Sequence, residues 1–262
     1  MYKQTKYVSK SPDKHGFVAY TYEENQIWHD LYVRQMKTIE NRACNEYIEG
    51  LKILGLTKDA IPQLPDVNKA LDKATGWAVA PVNALIQFEE FFDLLANRKF
   101  PAATFIRTRE DFDYIKEPDI FHELYGHCPM LTNPIYADFM RKYGELALKA
   151  NHKERVLLAR LYWFTVEFGL INAKEGLRIY GGGILSSHKE TIYATDSNIP
   201  KRVKLDSLEA FRTPYRIDIL QPIYFVINSF DDLYSVIHED LIAKIHESQA
   251  LGEYPPLFEK NK

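Results

Sequence analysis

One stretch constrains the fold of this chain more than any other. In LYWFTVEFGLI, Leu161 to Ile171, a single carboxylate, Glu167, stands among Trp163, Phe164, Val166, Phe168 and Leu170. The surrounding KERVLLARLYWFTVEFGLINA reads as a helix apolar nearly all round, and such a helix is buried. An ionised carboxylate there costs roughly several kcal/mol unless it is paired, protonated or bound to a metal. No cation lies one helical turn away, since positions 163, 164, 170 and 171 are Trp, Phe, Leu and Ile. The fold must therefore bring a partner from elsewhere: Arg155, Arg160 or Arg178 through space, or a metal with its other ligands.

A second stretch, FHELYGH, Phe121 to His127, looks like a zinc-protease signature, whose histidines are four apart and share one helix face. Here His122 and His127 are five apart, which on a regular helix separates them by about 140° around the axis. Both reach one ion only where the backbone leaves α geometry, a departure that Gly126 and the following Pro129 favour. Two histidines and one carboxylate form the facial triad that holds non-haem iron(II) and leaves positions open for oxygen and substrate. Two other readings stand beside it: ordinary partly buried histidines, and a zinc hydrolase in which Glu123 is the general base.

With 262 residues, 46% of them apolar and 13% aromatic, the chain can bury a sizeable core as one large domain. A formal charge of -3 with scattered basic residues lacks the footprint of nucleic-acid binding. No run of eighteen apolar residues suggests a membrane span, and no apolar run follows the basic N-terminus. A soluble, unexported, cytoplasmic protein is the expectation. Cys44 and Cys128 are too few for a disulfide framework and read as small buried apolar residues.

Patterning predicts mostly helices. Residues 21–56 read as one long amphipathic helix opened by a Thr21/Glu24 capping box, and 66–76 as a short helix stopped by Gly76. After a loop at Pro81, QFEEFFDLLANRKF reads as helix and FPAATFIR as a strand of period two. Asn133 and Pro134 start a helix to about Ala150, and another runs from 153 to 173. RIYGGGILSSH is too rich in glycine for a helix, YRIDILQPIYFVI reads as strand pieces broken by Pro222, and Ser229 caps a final helix to Ala250. The expected organisation is a polar arm (1–20), a catalytic domain (21–250) and a polar tail (251–262).

EPDIFHELYGHCP, LYWFTVEFGL and YGGGILSS, in this order, resemble the pterin-dependent aromatic amino acid hydroxylases, with the likeness running from about Thr21 to Phe230. The resemblance implies a mainly α fold with a small β component, a single catalytic domain of the aromatic amino acid hydroxylase type. It further implies iron(II) on His122, His127 and Glu167, with O2 and tetrahydrobiopterin or a related tetrahydropterin as cosubstrates. The implied reaction converts L-phenylalanine to L-tyrosine. Hydroxylation of tyrosine or tryptophan by the same chemistry is the alternative, and a third reading is a binding protein whose triad has lost activity.

The remaining site residues carry over from the same likeness. Arg107 matches the arginine that grips the substrate carboxylate, and Asp119 the acid that orients it, a pairing that suits a planar guanidinium. Pro118, Trp163 and Phe168 match the walls of the ring pocket. Ser186 matches a serine bonded to a ligand histidine, and the glycines ending at Gly183 imply close backbone approach. For the pterin, Val82, Ile86 and Phe91 lie in the matching loop, with Glu123 and Tyr162 beside it. Tyrosine-hydroxylating relatives carry Asp four residues before the Gln-Pro pair. Here that position is Ile217, which favours phenylalanine. Ile115 and Lys116 replace Thr-Pro, and Tyr125 replaces a leucine. Without the long C-terminal helix of animal relatives, a monomer or homodimer is expected rather than a tetramer.

Overall fold

The computed structural model describes residues 6–84 and 86–259. Helix α1 (Tyr22–Ile39) opens with the expected capping box: the Thr21 hydroxyl accepts from the Glu24 amide and the Glu24 carboxylate accepts from the Thr21 amide. The single helix expected over 21–56 is two. Asn41 turns left-handed at φ 58, and the chain at 42–44 pairs with Ile179 before α2 (Asn45–Leu54) begins. Neither Gly nor Pro marks this break, so the apolar period runs through it unseen. Helix α3 (Leu64–Thr75) stops at Gly76, whose φ of 72 is left-handed.

Strand β1 (Ala78–Val82) and, after helix α4 (Phe88–Ala96), strand β2 (Lys99–Ala103) pair in parallel. The first of these occupies what the sequence suggested was a loop. The alternation expected across Phe100 to Ile106 is absent from the burial pattern: residues 100–107 are all buried, because the segment is covered on both faces.

Helix α5 (Pro134–Lys149) is capped by Asn133, which accepts from the amides of Ile135 and Tyr136. Helix α6 (His152–Tyr162) does not continue to residue 173: it loosens into a π turn and then leaves as strand β3 (Leu170–Ala173). An apolar run alone cannot tell a buried helix from a buried strand. The strand pairs antiparallel with β4 (Gly176–Ile179). The glycine run then forms a one-turn helix, α7 (Gly182–Leu185), where no helix was expected.

Helix α8 (His188–Asp196), strand β5 (Lys201–Lys204) and helix α9 (Ser207–Arg212) follow. Strand β6 (Ile223–Ile227) begins only after Pro222 and completes a sheet of order β4-β3-β6-β5. The last expected helix divides into α10 (Phe230–Ile237) and α11 (Leu241–Leu251), because Asp240 caps the second by accepting from the Ala243 amide. The first five and last three residues of the expected arm and tail, and Leu85 of the expected pterin loop, lie outside the described residues.

Both cysteines are buried. The core holds the segment 121–127 in place: Trp28 packs edge-on against Phe121 at 5.3 Å, Phe121 stacks on Tyr125 at 4.6 Å, and the buried Tyr47 hydroxyl donates to the Tyr125 carbonyl at 2.6 Å.

Candidate active site

Two π turns carry the three residues of the expected triad. In Phe121–His127 the backbone closes on the fifth residue, Cys128 N–H donating to Glu123 O, so that residues five apart come to the same face. This is the departure that the spacing of His122 and His127 requires. The second turn, Trp163–Glu167, closes the same way, with Phe168 N–H donating to Trp163 O at 2.9 Å.

Glu167 finds its partners in the histidines. Arg155 pairs with Glu89, Arg160 with Glu253, and Arg178 bonds the Leu177 carbonyl. The two Nε2 atoms are 3.0 Å apart, with Glu167 oxygens 3.3 Å from that of His127 and 3.7 Å from that of His122. Donors so spaced fit around one ion at about 2.1 Å from each. His122 Nδ1 lies 2.9 Å from the Ser186 hydroxyl, which itself donates to Gly182 O at 2.9 Å. The serine oxygen therefore accepts from Nδ1–H, and Nε2 keeps its lone pair for a metal. His127 is boxed in by backbone: a Cβ on Gly182 would fall 2.4 Å from its Nδ1.

Electrostatics distinguishes two nearby carboxyls. Burial alone would raise Glu167, yet His127 and then His122 hold it below its ordinary value. Glu123 also offers an oxygen within 4.8 Å of both histidine donors. Burial, reinforced by the charges of Glu167 and Asp119, pushes that carboxyl well above the usual range. The same burial thus acts against opposing and reinforcing neighbours in the two, the first held toward its ionised form by the histidines and the second pushed toward its protonated form. Burial pushes the His122 imidazole down to about 4 against the opposing pull of Glu167. A neutral imidazole and an ionised carboxylate are the forms that bind metal, so the donor set fits an iron(II) ion.

Arg107 and Asp119 form the expected fork. The guanidinium donates from Nε to one oxygen at 2.8 Å and from Nη2 to the other at 2.9 Å, and Asp119 is fully buried. Burial would raise the Asp119 carboxyl, but the Arg107 charge and the hydrogen bonds around it hold it low. Its Oδ1 also accepts from the His122 amide at 3.0 Å.

A cleft of about 430 Å³ opens beside these groups, lined by Arg107, Pro118, His122, Trp163, Glu167, Phe168, Gly183 and Ser186 among others. Of the expected substrate residues only Asp119 is absent from its wall, standing behind Arg107. Gly183 is held to close approach, since a Cβ there would lie 2.7 Å from Glu167 Oε2. Ile217 and Asp218 both line the cleft, and both Asp218 oxygens are taken by Arg216, at 3.0 and 2.7 Å. Ile115 and Lys116 line it as well.

The expected pterin residues sit apart from that lining. Phe91, on α4, meets Tyr162 edge-on at 5.3 Å. Burial, and after it the charge of Glu167, pushes the Tyr162 phenol well above its ordinary value. Val82 ends β1 opposite Ala103, and Ile86 follows it in the loop before α4.

Sequence reasoning missed the supports of the expected ring pocket. Trp163 is stacked between Phe168 at 4.3 Å and Tyr215 at 4.7 Å, and its indole N–H donates to Gln221 at 3.1 Å. The Gln221 amide group donates to the carbonyls of Arg216 and Ile219, while its backbone N–H donates to buried Glu190. The only signal was the Gln-Pro pair, which served as a landmark for Ile217.

A family model for biopterin-dependent aromatic amino acid hydroxylases matches residues 2–250. The phenylalanine-4-hydroxylase of Pseudomonas aeruginosa is 55% identical over 256 residues, 98% of this chain and 97% of that one. The solved phenylalanine hydroxylase of Legionella pneumophila has a TM-score of 0.95 at 53% identity, over 96% of this chain and 100% of the other. That of Chromobacterium violaceum with bound oxidised Fe(III) has a TM-score of 0.88 at 42% identity, over 93% and 91%.

Proposed function

The chain belongs to the biopterin-dependent aromatic amino acid hydroxylases, and on that premise we propose that it hydroxylates L-phenylalanine to L-tyrosine with O2, using iron(II) and a tetrahydropterin. The observation that carries the reading is the convergence of His122, His127 and Glu167 donors, 3.0 to 3.7 Å apart, on a cleft that also holds the Arg107 guanidinium. When bound, the iron would activate O2 and the tetrahydropterin would supply two electrons and take the second oxygen atom, so that one oxygen atom reaches the ring.

The chain's own residues bind, orient and shield. Arg107, held by Asp119, takes the substrate carboxylate, and Pro118, Trp163 and Phe168 wall the ring. Ser186 fixes the His122 tautomer, and Gly183 leaves room beside Glu167. Phe91, Tyr162 and Glu123, with Val82 and Ile86, are the proposed pterin contacts.

Ile217 supplies no partner for a phenol hydroxyl, and Asp218 is already engaged by Arg216, which favours phenylalanine over tyrosine. No helix among the described residues is long and apolar enough to cross a membrane. The proposal includes a cytoplasmic monomer or homodimer. The test is anaerobic reconstitution with iron(II), then addition of O2, a tetrahydropterin and each of Phe, Tyr and Trp, with products identified by mass. Tyrosine from phenylalanine, lost when zinc replaces iron, is expected. No ring hydroxylation with iron bound would overturn the reading.

A further inference from the structure

We propose that residues 252–259 brace the cleft-lining loop 215–220, and that Arg212 and Arg216 are the positioning residues through which the brace acts. The loop is irregular backbone, with Ile217 and Leu220 half exposed, and four of its residues line the cleft. On its inner side Gln221 ties down the carbonyls of Arg216 and Ile219. Something must hold its outer side, because an irregular segment with no ladder of its own opens easily.

The segment after α11 supplies that hold in two steps. Arg212, at the end of α9, donates from Nε to Gly252 O at 2.9 Å and from Nη1 to the Tyr254 hydroxyl at 2.9 Å. Its guanidinium lies over the Tyr254 ring at 4.0 Å, and its carbonyl accepts from the Tyr254 amide at 2.8 Å. The same hydroxyl donates to Glu209 at 2.8 Å, and Glu253 pairs with Arg160.

Further along, the Arg216 guanidinium faces the Phe258 ring at 5.9 Å and donates from Nη1 to Glu259 O at 3.2 Å, while its Nε and Nη2 grip Asp218. A single exposed pair contributes little. Here one arginine joins the tail to the loop while a second fixes the tail to α9, and Tyr215 between them stacks on Trp163 of the ring pocket. Tail, loop and pocket wall are thereby one connected body. The kinetic consequence rests on the hydroxylase reading, whereas the mechanical one does not.

The test uses the full chain carrying both Tyr254→Ala and Phe258→Ala, neither of which touches the cleft. Amide hydrogen exchange, without metal or substrate, should be about tenfold or more faster at 215–221, with α5 unchanged. The KM for L-phenylalanine should rise about three- to tenfold with kcat and the tetrahydropterin KM within about twofold. Tyr254→Phe, which keeps the ring under Arg212 but loses the two hydroxyl hydrogen bonds, should fall between wild type and the double variant in both readouts. Fast exchange at 252–259 with unchanged exchange at 215–221, or an unchanged phenylalanine KM, would overturn the brace. If the double variant does not fold, Phe258→Ala alone is judged by the same two readouts. Should the wild type hydroxylate nothing, the hydroxylase reading fails while the exchange result still decides the brace.

Discussion

Glu167 stays ionised inside an apolar segment because two imidazoles stand within 3.7 Å of its oxygens. Glu167→Ala should therefore abolish iron binding and turnover yet keep the fold, since the substitution also removes a buried charge; iron content and a thermal melt check this, and full activity would sink the ligand assignment. Glu190, on the wall of the same cleft but outside the proposed ligand set, offers a second test. It accepts from Gln221 N–H and the Tyr224 hydroxyl, and burial raises its carboxyl above the ordinary value. The native state thus keeps a proton that the unfolded chain releases near its normal pKa. Stability from this group is full below that value and is lost as pH rises through the folded one. Glu190→Gln, which cannot titrate, should gain in melting temperature relative to wild type as pH increases over that window, and a constant difference would refute it. The triad was legible because Glu167 violates its surroundings. Glu190 was not, because its burial comes from Tyr224 and Gln221, more than thirty positions away.

At the scale of elements, what decides the site is a change of helix type that hydrophobic periodicity does not register. His122 and His127 spaced five apart pointed to irregular backbone, but no pattern announced the matching turn at Trp163–Glu167 or the exit of the chain as a strand. The breaks at Asn41 and Asp240 escaped for a similar reason: tertiary pairing in one case and a side-chain cap in the other, neither visible in the apolar period. Capped helices such as α3 and α5 were legible because Gly76, Asn133 and Pro134 act locally. Helix α7 follows from close packing rather than from propensity. Its Gly182 presses on the His127 ring, so Gly182→Ala should cost about 1–3 kcal/mol by overpacking. Because it displaces a proposed ligand, iron affinity should fall about 10- to 100-fold, as measured by competition with a chelator. Wild-type affinity in that variant would mean that the ring yields without penalty.

Across the whole molecule, the proposed site exists only when distant segments meet: two π turns, the one-turn helix α7, the irregular segment after β2 that carries Arg107 and the loop before β6. Iron(II) should bind the folded chain far better than the unfolded one. At about 100 times its dissociation constant the ion then stabilises the protein by ~2.7 kcal/mol, so the melting temperature should rise about 5–10 °C. Scanning calorimetry under anaerobic conditions measures this, and no shift with iron bound would mean that the site does not depend on the fold.

The sharing of Asp119 has a further effect. One buried carboxylate holds both the guanidinium of Arg107 and the backbone of His122, at 2.8 to 3.0 Å. The span between the proposed carboxylate grip and the metal is therefore set as in a calliper, with both jaws fixed to one pin. Such a site gauges the length of what it holds. An amino acid with one methylene more or fewer between carboxylate and ring can seat its carboxylate just as well, yet it brings the wrong carbon to the point of attack.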